Sequence, residues 1–165
     1  MNLREDKHWS YGARTRLGDA IGPRAFVVNA PVQTDKTKES LLEIQKELAD
    51  ILGSRPATQT ELDQAKAEET LTLAGRWETN SAVLASLAQL VRYELPDDYW
   101  TTYAGQVRAL TTADVDAAAK TIIDPRRAVW IVVGDRAKIE PGVREAGIGE
   151  VVVIDADGKP VGPKP

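Results

Sequence analysis

Hydrophobic positions change their period several times along this chain, and each change marks an element. Between residues 10 and 19, Tyr11, Ala13, Thr15 and Leu17 alternate with Gly12, Arg14 and Arg16, the period of two expected of a half-buried strand. Residues 18–23 read as a turn, and residues 25–33 resume extended structure with Phe26, Val28, Ala30 and Val32 on one face. Two strands with so tight a connection predict an antiparallel hairpin. The period then shifts to that of a helix. Over residues 36–52, Leu41, Ile44, Leu48 and Ile51 share a face, with Asp35 as the expected N-cap and Gly53 as the stop.

Ser54-Arg55-Pro56 breaks that helix, and a second is expected from Thr58, with Thr60 and Asp63 as its cap and a thin stripe of Leu62, Ala65, Leu71 and Leu73. Gly75 and Trp77 mark a bend. Residues 80–94 carry Val83, Leu84, Leu87, Leu90 and Val91 on one stripe, expected to face the core. After Pro96, an aromatic stripe of Tyr99, Trp100 and Tyr103 continues into Val107 and Leu110, a pattern of core or inter-domain packing. Thr111 and Asp114 form a capping arrangement for a helix that ends before Asp124-Pro125. Residues 128–133 are continuously apolar, the signature of a central strand buried on both faces. Residues 136–147 predict a short helix interrupted by Pro141-Gly142, residues 151–155 a last strand before an Asp157-Gly158 turn, and residues 160–165 a disordered tail. Strands, then helices, then a returning strand is the order of an α+β layer, an antiparallel or mixed sheet with helices on one face, in one domain over residues 1–159.

Composition narrows the chemistry. With 165 residues and 42% apolar content, one domain can bury a core. A net charge of −4 without a Lys/Arg cluster argues against nucleic acid as a partner. No apolar run approaches the roughly 20 residues that span a bilayer, so no membrane segment is expected. There is no cysteine, and His8 is the sole histidine, whereas a catalytic zinc takes three protein ligands. No metal ligand set, phosphate loop or nucleophile elbow is present, no catalytic residue is assigned to this chain, and nothing in the composition fixes a compartment. Glu68-Glu69 and Asp97-Asp98 read as solvated faces.

Candidate binding chemistry sits at the start. Arg4 and Tyr11 are seven residues apart across a helix that stops and feeds a strand, a corner able to aim a guanidinium and a phenol into one space. Five N–H donors and a hydroxyl suit a carbonyl oxygen, a carboxylate or an oxyanion. The same spacing also fits a surface ion pair for Arg4 and a packed Tyr11 with its hydroxyl in water.

The segment Leu3-Arg4-Glu5-Asp6-Lys7-His8-Trp9-Ser10-Tyr11-Gly12-Ala13 resembles the Leu-Arg-Glu to Tyr-Gly/Ser segment in the C-terminal, non-zinc half of insulinase/pitrilysin-type zinc peptidases, a family that includes the mitochondrial processing peptidases. Gly75-Arg76-Trp77-Glu78-Thr79-Asn80, Asp97-Asp98-Tyr99-Trp100 with Tyr103, Leu110-Thr111-Thr112-Ala113-Asp114-Val115 and Ile131-Val132-Val133-Gly134-Asp135 resemble its later landmarks in order, so the likeness runs over residues 3–140. It implies an α/β-roll of the processing-peptidase type, lacking its first strand here, and a substrate-backbone role for Arg4 and Tyr11. Zinc is then expected only in the parent enzyme, since the family's His-x-x-Glu-His motif cannot be written in this chain. His8 stands where many relatives carry Gly and reads as a solvated residue at a helix end. The implied partners are a peptide substrate and a zinc-bearing N-terminal half or subunit, with self-association through an exposed sheet edge. Two functions are consistent with this resemblance: the substrate-gripping domain of a zinc metalloendopeptidase, inactive alone, or a non-catalytic partner or scaffold subunit of the same fold.

Overall fold

The structure is a computed structural model and describes residues 2–162; Met1 and the tail residues 163–165 lie outside the described residues. Among the described residues the chain is mostly helical with one two-stranded antiparallel sheet, and it divides into two compact units. Among the described residues the first is drawn from residues 2–18, 25–49 and 125–162, and the second from residues 19–24 and 50–124. No described helix is long and apolar enough to cross a membrane.

In the first unit, β1 (Arg14–Leu17) pairs with β2 (Phe26–Asn29) in the register Thr15 opposite Val28 and Leu17 opposite Phe26. The predicted inner face of the second strand is confirmed, since Phe26, Val28, Ala30 and Val32 are all half-buried, while β1 is exposed along its length. Helix α1 (Thr37–Asp50) buries Thr37, Ser40 and Leu41. Its start is not the Asp35 cap but a short 3-10 turn, Thr34–Lys36, closed by the Thr37 hydroxyl donating to the Thr34 carbonyl at 2.9 Å. Helix α6 (Arg136–Glu145) begins at Asp135, whose carboxylate accepts from the Ala137 N–H, and runs through Pro141 instead of breaking there. Glu140 brackets the proline region by accepting from Arg136 at 2.5 Å and Arg144 at 2.7 Å, and Ile139 is buried, which together outweigh one missing amide donor. Gly134 lets the turn pass Ile139, because a Cβ there would meet its Cδ1 at 3.0 Å. Lys38 ties α1 to α6 through Glu145 at 2.6 Å.

Two expected strands are corrected. Residues 128–133 form no strand among the described residues, and Val129, Ile131 and Val133 are exposed: a continuous apolar run announces a strand without saying where its partner is. Residues 151–155 form only a small loop-back, with a bridge between Ile154 and Pro160 and the Val161 N–H donating to the Val153 carbonyl at 2.8 Å around Gly158, whose φ is +78°.

In the second unit, α2 (Gln59–Leu71), α3 (Asn80–Arg92), α4 (Tyr99–Ala109) and α5 (Thr112–Ile122) follow one another. The cap of α2 is Thr58 with Glu61, two residues before the Thr60–Asp63 pair expected, and α5 carries the expected box of Thr111 with Asp114. Leu62 and Leu73 are buried and α2 packs on α4. The stripe of α3 is corrected. Of the expected stripe only Leu90 is half-buried; Val83, Leu84, Leu87 and Val91 are exposed, and the inner side carries Ala82, Ser86 and Gln89 beside Leu90, with two indoles on Ser86: Trp77 Nε1 donates to its hydroxyl at 2.9 Å and Trp100 Nε1 to its carbonyl at 3.4 Å. Trp77, Tyr99 and Tyr103 surround Trp100 with centroids 5.0–5.8 Å away. Tyr103 donates to Glu69 at 3.1 Å, a carboxylate also held by Arg76 at 2.8 Å; burial first, then Glu69, pushes the phenol pKa up.

Helix α3 ends in a Schellman arrangement: Leu95 N–H donates to the Leu90 carbonyl at 2.9 Å, Glu94 N–H to Val91 at 3.4 Å, and Glu94 has φ +51°. A left-handed conformation costs an L-residue roughly 1–2 kcal/mol, part of which glycine returns as backbone entropy. Glu94→Gly is therefore expected to raise stability by about 0.5–1 kcal/mol, read as a higher urea midpoint at unchanged m-value.

The capping acids set a pH response. The Thr58 N–H and then its hydroxyl hold Glu61 below its usual range, the Thr111 hydroxyl and N–H do so for Asp114, and Arg136 and Arg144 do so for Glu140. Depressed folded values mean stability that is present above the ordinary values of 4.5 and 3.8 and lost as pH falls through the folded ones. Urea midpoints are expected to hold from pH 7 to about 5 and to fall below about 4.5, less steeply in Thr58→Ala/Thr111→Ala.

Candidate functional site

Residues Asn2–Asp6 form a single wide π-turn instead of the expected ordinary helix, with Lys7 N–H donating to the Asn2 carbonyl at 3.0 Å. Leu3 is buried, and the Asn2 amide reaches Glu43 and Glu47 on α1. The chain then reverses at His8, whose φ of +56° lies in the left-handed region that favours glycine. That reversal lets Trp9 and Ser10 both donate to the Leu3 carbonyl, at 3.0 and 3.1 Å. His8 is exposed, and its carbonyl accepts from the Gln33 side chain at 2.9 Å.

A bulge comes next in the chain. The hairpin register sets Arg14 opposite Asn29, yet Ser10 bridges Val32, so Tyr11, Gly12 and Ala13 on one strand face only Ala30 and Pro31 on the other. A bulge re-aims side chains and suits a proline, which has no N–H for the ladder. Ser10 pins it, donating to the Pro31 carbonyl at 2.7 Å and accepting from Gly12 N–H at 3.1 Å. Tyr11 is thereby turned out of the strand's alternation and is 89% exposed.

The turn and the bulge bring the two expected residues together. The Arg4 guanidinium carbon lies 5.5 Å from the centroid of the Tyr11 ring, within cation–π range. Arg4 Nε also pairs with Glu5 at 3.3 Å, leaving its terminal N–H groups and the Tyr11 hydroxyl without partners among the described residues. Both side chains line an open depression of about 610 Å³ with Glu5, His8, Trp9, Ser10 and Gln33. Chemically it offers unpaired donors, one of them a cation, at the rim of an accessible hollow. Pro31 and Gln33 belong to no motif in the sequence, and Ser10 lies in the segment around Arg4 and Tyr11 without a role assigned there; the signal for them is a proline breaking the pattern of the second strand opposite Gly12.

The solved structure of a peptidase M16 inactive domain from Pseudomonas fluorescens has a similar fold, with a TM-score of 0.68 and 24% sequence identity over 75% of this chain. The match covers 29% of that protein's length. At this identity the likeness is one of fold. It agrees at that level with the insulinase/pitrilysin resemblance of the sequence. No protein-family model matches the chain, and no curated protein matches it in sequence.

The chain's own residues do not fit a peptidase zinc. It has one histidine and no cysteine, and among the described residues no three His, Cys, Asp or Glu side chains are grouped to hold a metal.

Proposed function

We propose that this chain is the non-zinc domain of a zinc metalloendopeptidase, and that Arg4 and Tyr11 grip the backbone of the substrate peptide. In this reading the hairpin and the extended runs are strands of an α/β-roll, and the catalytic metal belongs to an N-terminal half or a partner subunit. The observation that carries it is the Arg4–Tyr11 pair: two groups seven residues apart, gathered by a π-turn and a bulge, with unpaired donors at the rim of a hollow. Peptide carbonyls accept such hydrogen bonds, and the guanidinium makes them charge-assisted. The chain's role is to orient the peptide, not to move a proton or attack it.

A second reading, a non-catalytic partner or scaffold subunit, is favoured by one specific observation: the structural neighbour is itself described as an inactive domain. One experiment separates the two. The zinc-bearing half, recognised by an intact His-x-x-Glu-His in the adjoining coding sequence or a neighbouring gene, is combined with this chain and tested on a quenched peptide. The gripping domain gives chelator-sensitive cleavage that needs both parts and falls with Arg4→Ala; the scaffold gives cleavage indifferent to Arg4. This chain alone is expected to cleave nothing and to hold no stoichiometric zinc.

A further inference from the structure

The hairpin of the first unit carries its charge on one face. Arg14 stands opposite Asn29 and Arg16 opposite Val27, and residues directly opposite in an antiparallel pair share a face, so both arginines belong to the exposed side, away from half-buried Phe26 and Val28. Neither guanidinium has a hydrogen bond or an ion pair among the described residues. Residues 11–17 and 26–33 contain no Asp or Glu, although the chain as a whole has 25 acids and a net charge of −4. A bare cationic face on an acidic chain is complementary to an anion from outside it.

This face is continuous with the candidate site. Pro31 and Gln33, in the same exposed row as Val27 and Asn29, line the hollow beside Arg4 and Tyr11. Asn29 and Val27 lie two and four residues on from Pro31, which puts Arg14 and Arg16 about 7 and 14 Å along the hairpin at ~3.4 Å per residue. We infer that a peptide held at Arg4 and Tyr11 runs on over this face, and that Arg14 and Arg16 select peptides with Asp or Glu two and four residues from the one held. The inference rests on the gripping reading of Arg4 and Tyr11. An extended peptide repeats its side-chain direction every two residues, the spacing of the two arginines, so an Asp-x-Asp segment meets both guanidinium groups and an adjacent Asp-Asp pair meets one. A carboxylate is the planar acceptor that the guanidinium fork fits. A long polyanion such as nucleic acid is repelled by the chain's overall charge, which leaves a short acidic stretch of peptide as the occupant.

Fluorescence anisotropy on the full chain tests this with labelled peptides of Ala and Gln that differ in one segment, Asp-Ala-Asp, Asp-Asp-Ala or Asn-Ala-Asn, at about 0.05 M ionic strength, where surface charges are weakly screened. Asp-Ala-Asp is expected to bind about fivefold more tightly than Asn-Ala-Asn, the sum of two exposed charge pairs, with Asp-Asp-Ala between them. Arg14→Gln/Arg16→Gln should remove the differences among the three peptides, and circular dichroism should show it folded. Arg4→Ala should weaken all three alike and keep their order. Equal affinities for the three peptides, all weakened by Arg4→Ala, overturn this inference and leave the grip standing. A preference for Asp-Ala-Asp that survives Arg14→Gln/Arg16→Gln overturns it too, as does an equal gain from Asp-Asp-Ala. Affinities indifferent to Arg4→Ala overturn the grip itself, and no binding of any of the three peptides overturns both.

Discussion

On the proposed substrate-gripping reading, Arg4→Ala in an assembly with a zinc-bearing half is expected to lower kcat/KM by about tenfold to a hundredfold. A charge-assisted hydrogen bond to a substrate carbonyl contributes roughly 1.5–3 kcal/mol, and about 1.4 kcal/mol corresponds to a factor of ten. Tyr11→Phe removes one nearly neutral hydrogen bond, about 1 kcal/mol, and should cost several-fold. Arg4→Lys should not rescue, because a point charge lacks the planar fork that serves adjacent carbonyls. Folding should be indifferent to all three changes: Arg4 is half exposed, its partner Glu5 more so, and exposed pairs of this kind contribute little. The measurement is kcat/KM on a quenched peptide beside thermal melts and metal content. An unchanged kcat/KM in a folded, zinc-loaded Arg4→Ala enzyme would leave the pair as a structural corner of the hairpin.

Trp100→Ala is expected to have the largest effect on stability. Its ring meets three aromatic neighbours, Trp77 at 5.8 Å, Tyr99 at 5.0 Å and Tyr103 at 5.5 Å, and its N–H reaches the Ser86 carbonyl. Fully buried Trp→Ala changes cost about 3–5 kcal/mol, and half-burial here brings the expectation to about 2–4 kcal/mol. Edge-to-face contacts beyond area burial account for part of it. Trp100→Phe should lose much less, keeping ring packing while giving up the long 3.4 Å hydrogen bond. Urea unfolding by circular dichroism checks both, and equal midpoints for Trp100→Ala and the unsubstituted chain would show that the aromatic cluster does not hold α3, α4 and the Trp77 turn together.

The elements whose determinants are local were legible. Thr111 and Asp114 cap α5 as their spacing says, Asp157-Gly158 turns, and the inner face of β2 follows from simple alternation. What escaped depended on competition between residues distant in sequence. The apolar stripe on α3 reads as core, but two tryptophans, nine and fourteen residues away, hydrogen-bond to Ser86, and the half-buried side carries Ala82, Ser86 and Gln89 with only Leu90 of that stripe. Residues 128–133 read as strand from composition, yet strand pairing belongs to two segments and only one is visible in a hydrophobic run. Pro141 reads as a break, and only the Arg136–Glu140–Arg144 ladder and the burial of Ile139 reveal that the helix continues. For the candidate site, spacing left Arg4 and Tyr11 open between a shared corner and a surface ion pair with a solvated phenol, and the structure shows the ring and guanidinium close while Arg4 also pairs with surface Glu5. The π-turn and the left-handed His8 that bring them near have no side-chain signature.

The division of the chain also orders its assembly in time. Residues 50–124 supply nearly all of the second unit as one continuous stretch, whereas the first unit joins α1 to α6 across that whole stretch through Lys38 and Glu145. Short-range contacts form quickly, and closing a long loop meets an entropic barrier that grows with its length. As the chain leaves the ribosome, α2 to α5 have nearly all of their own unit before residue 125 is made, while α1 and the hairpin wait for their C-terminal partner. The π-turn bearing Arg4 belongs to the late unit, so it acquires its final surroundings after those helices although it is synthesised ahead of them.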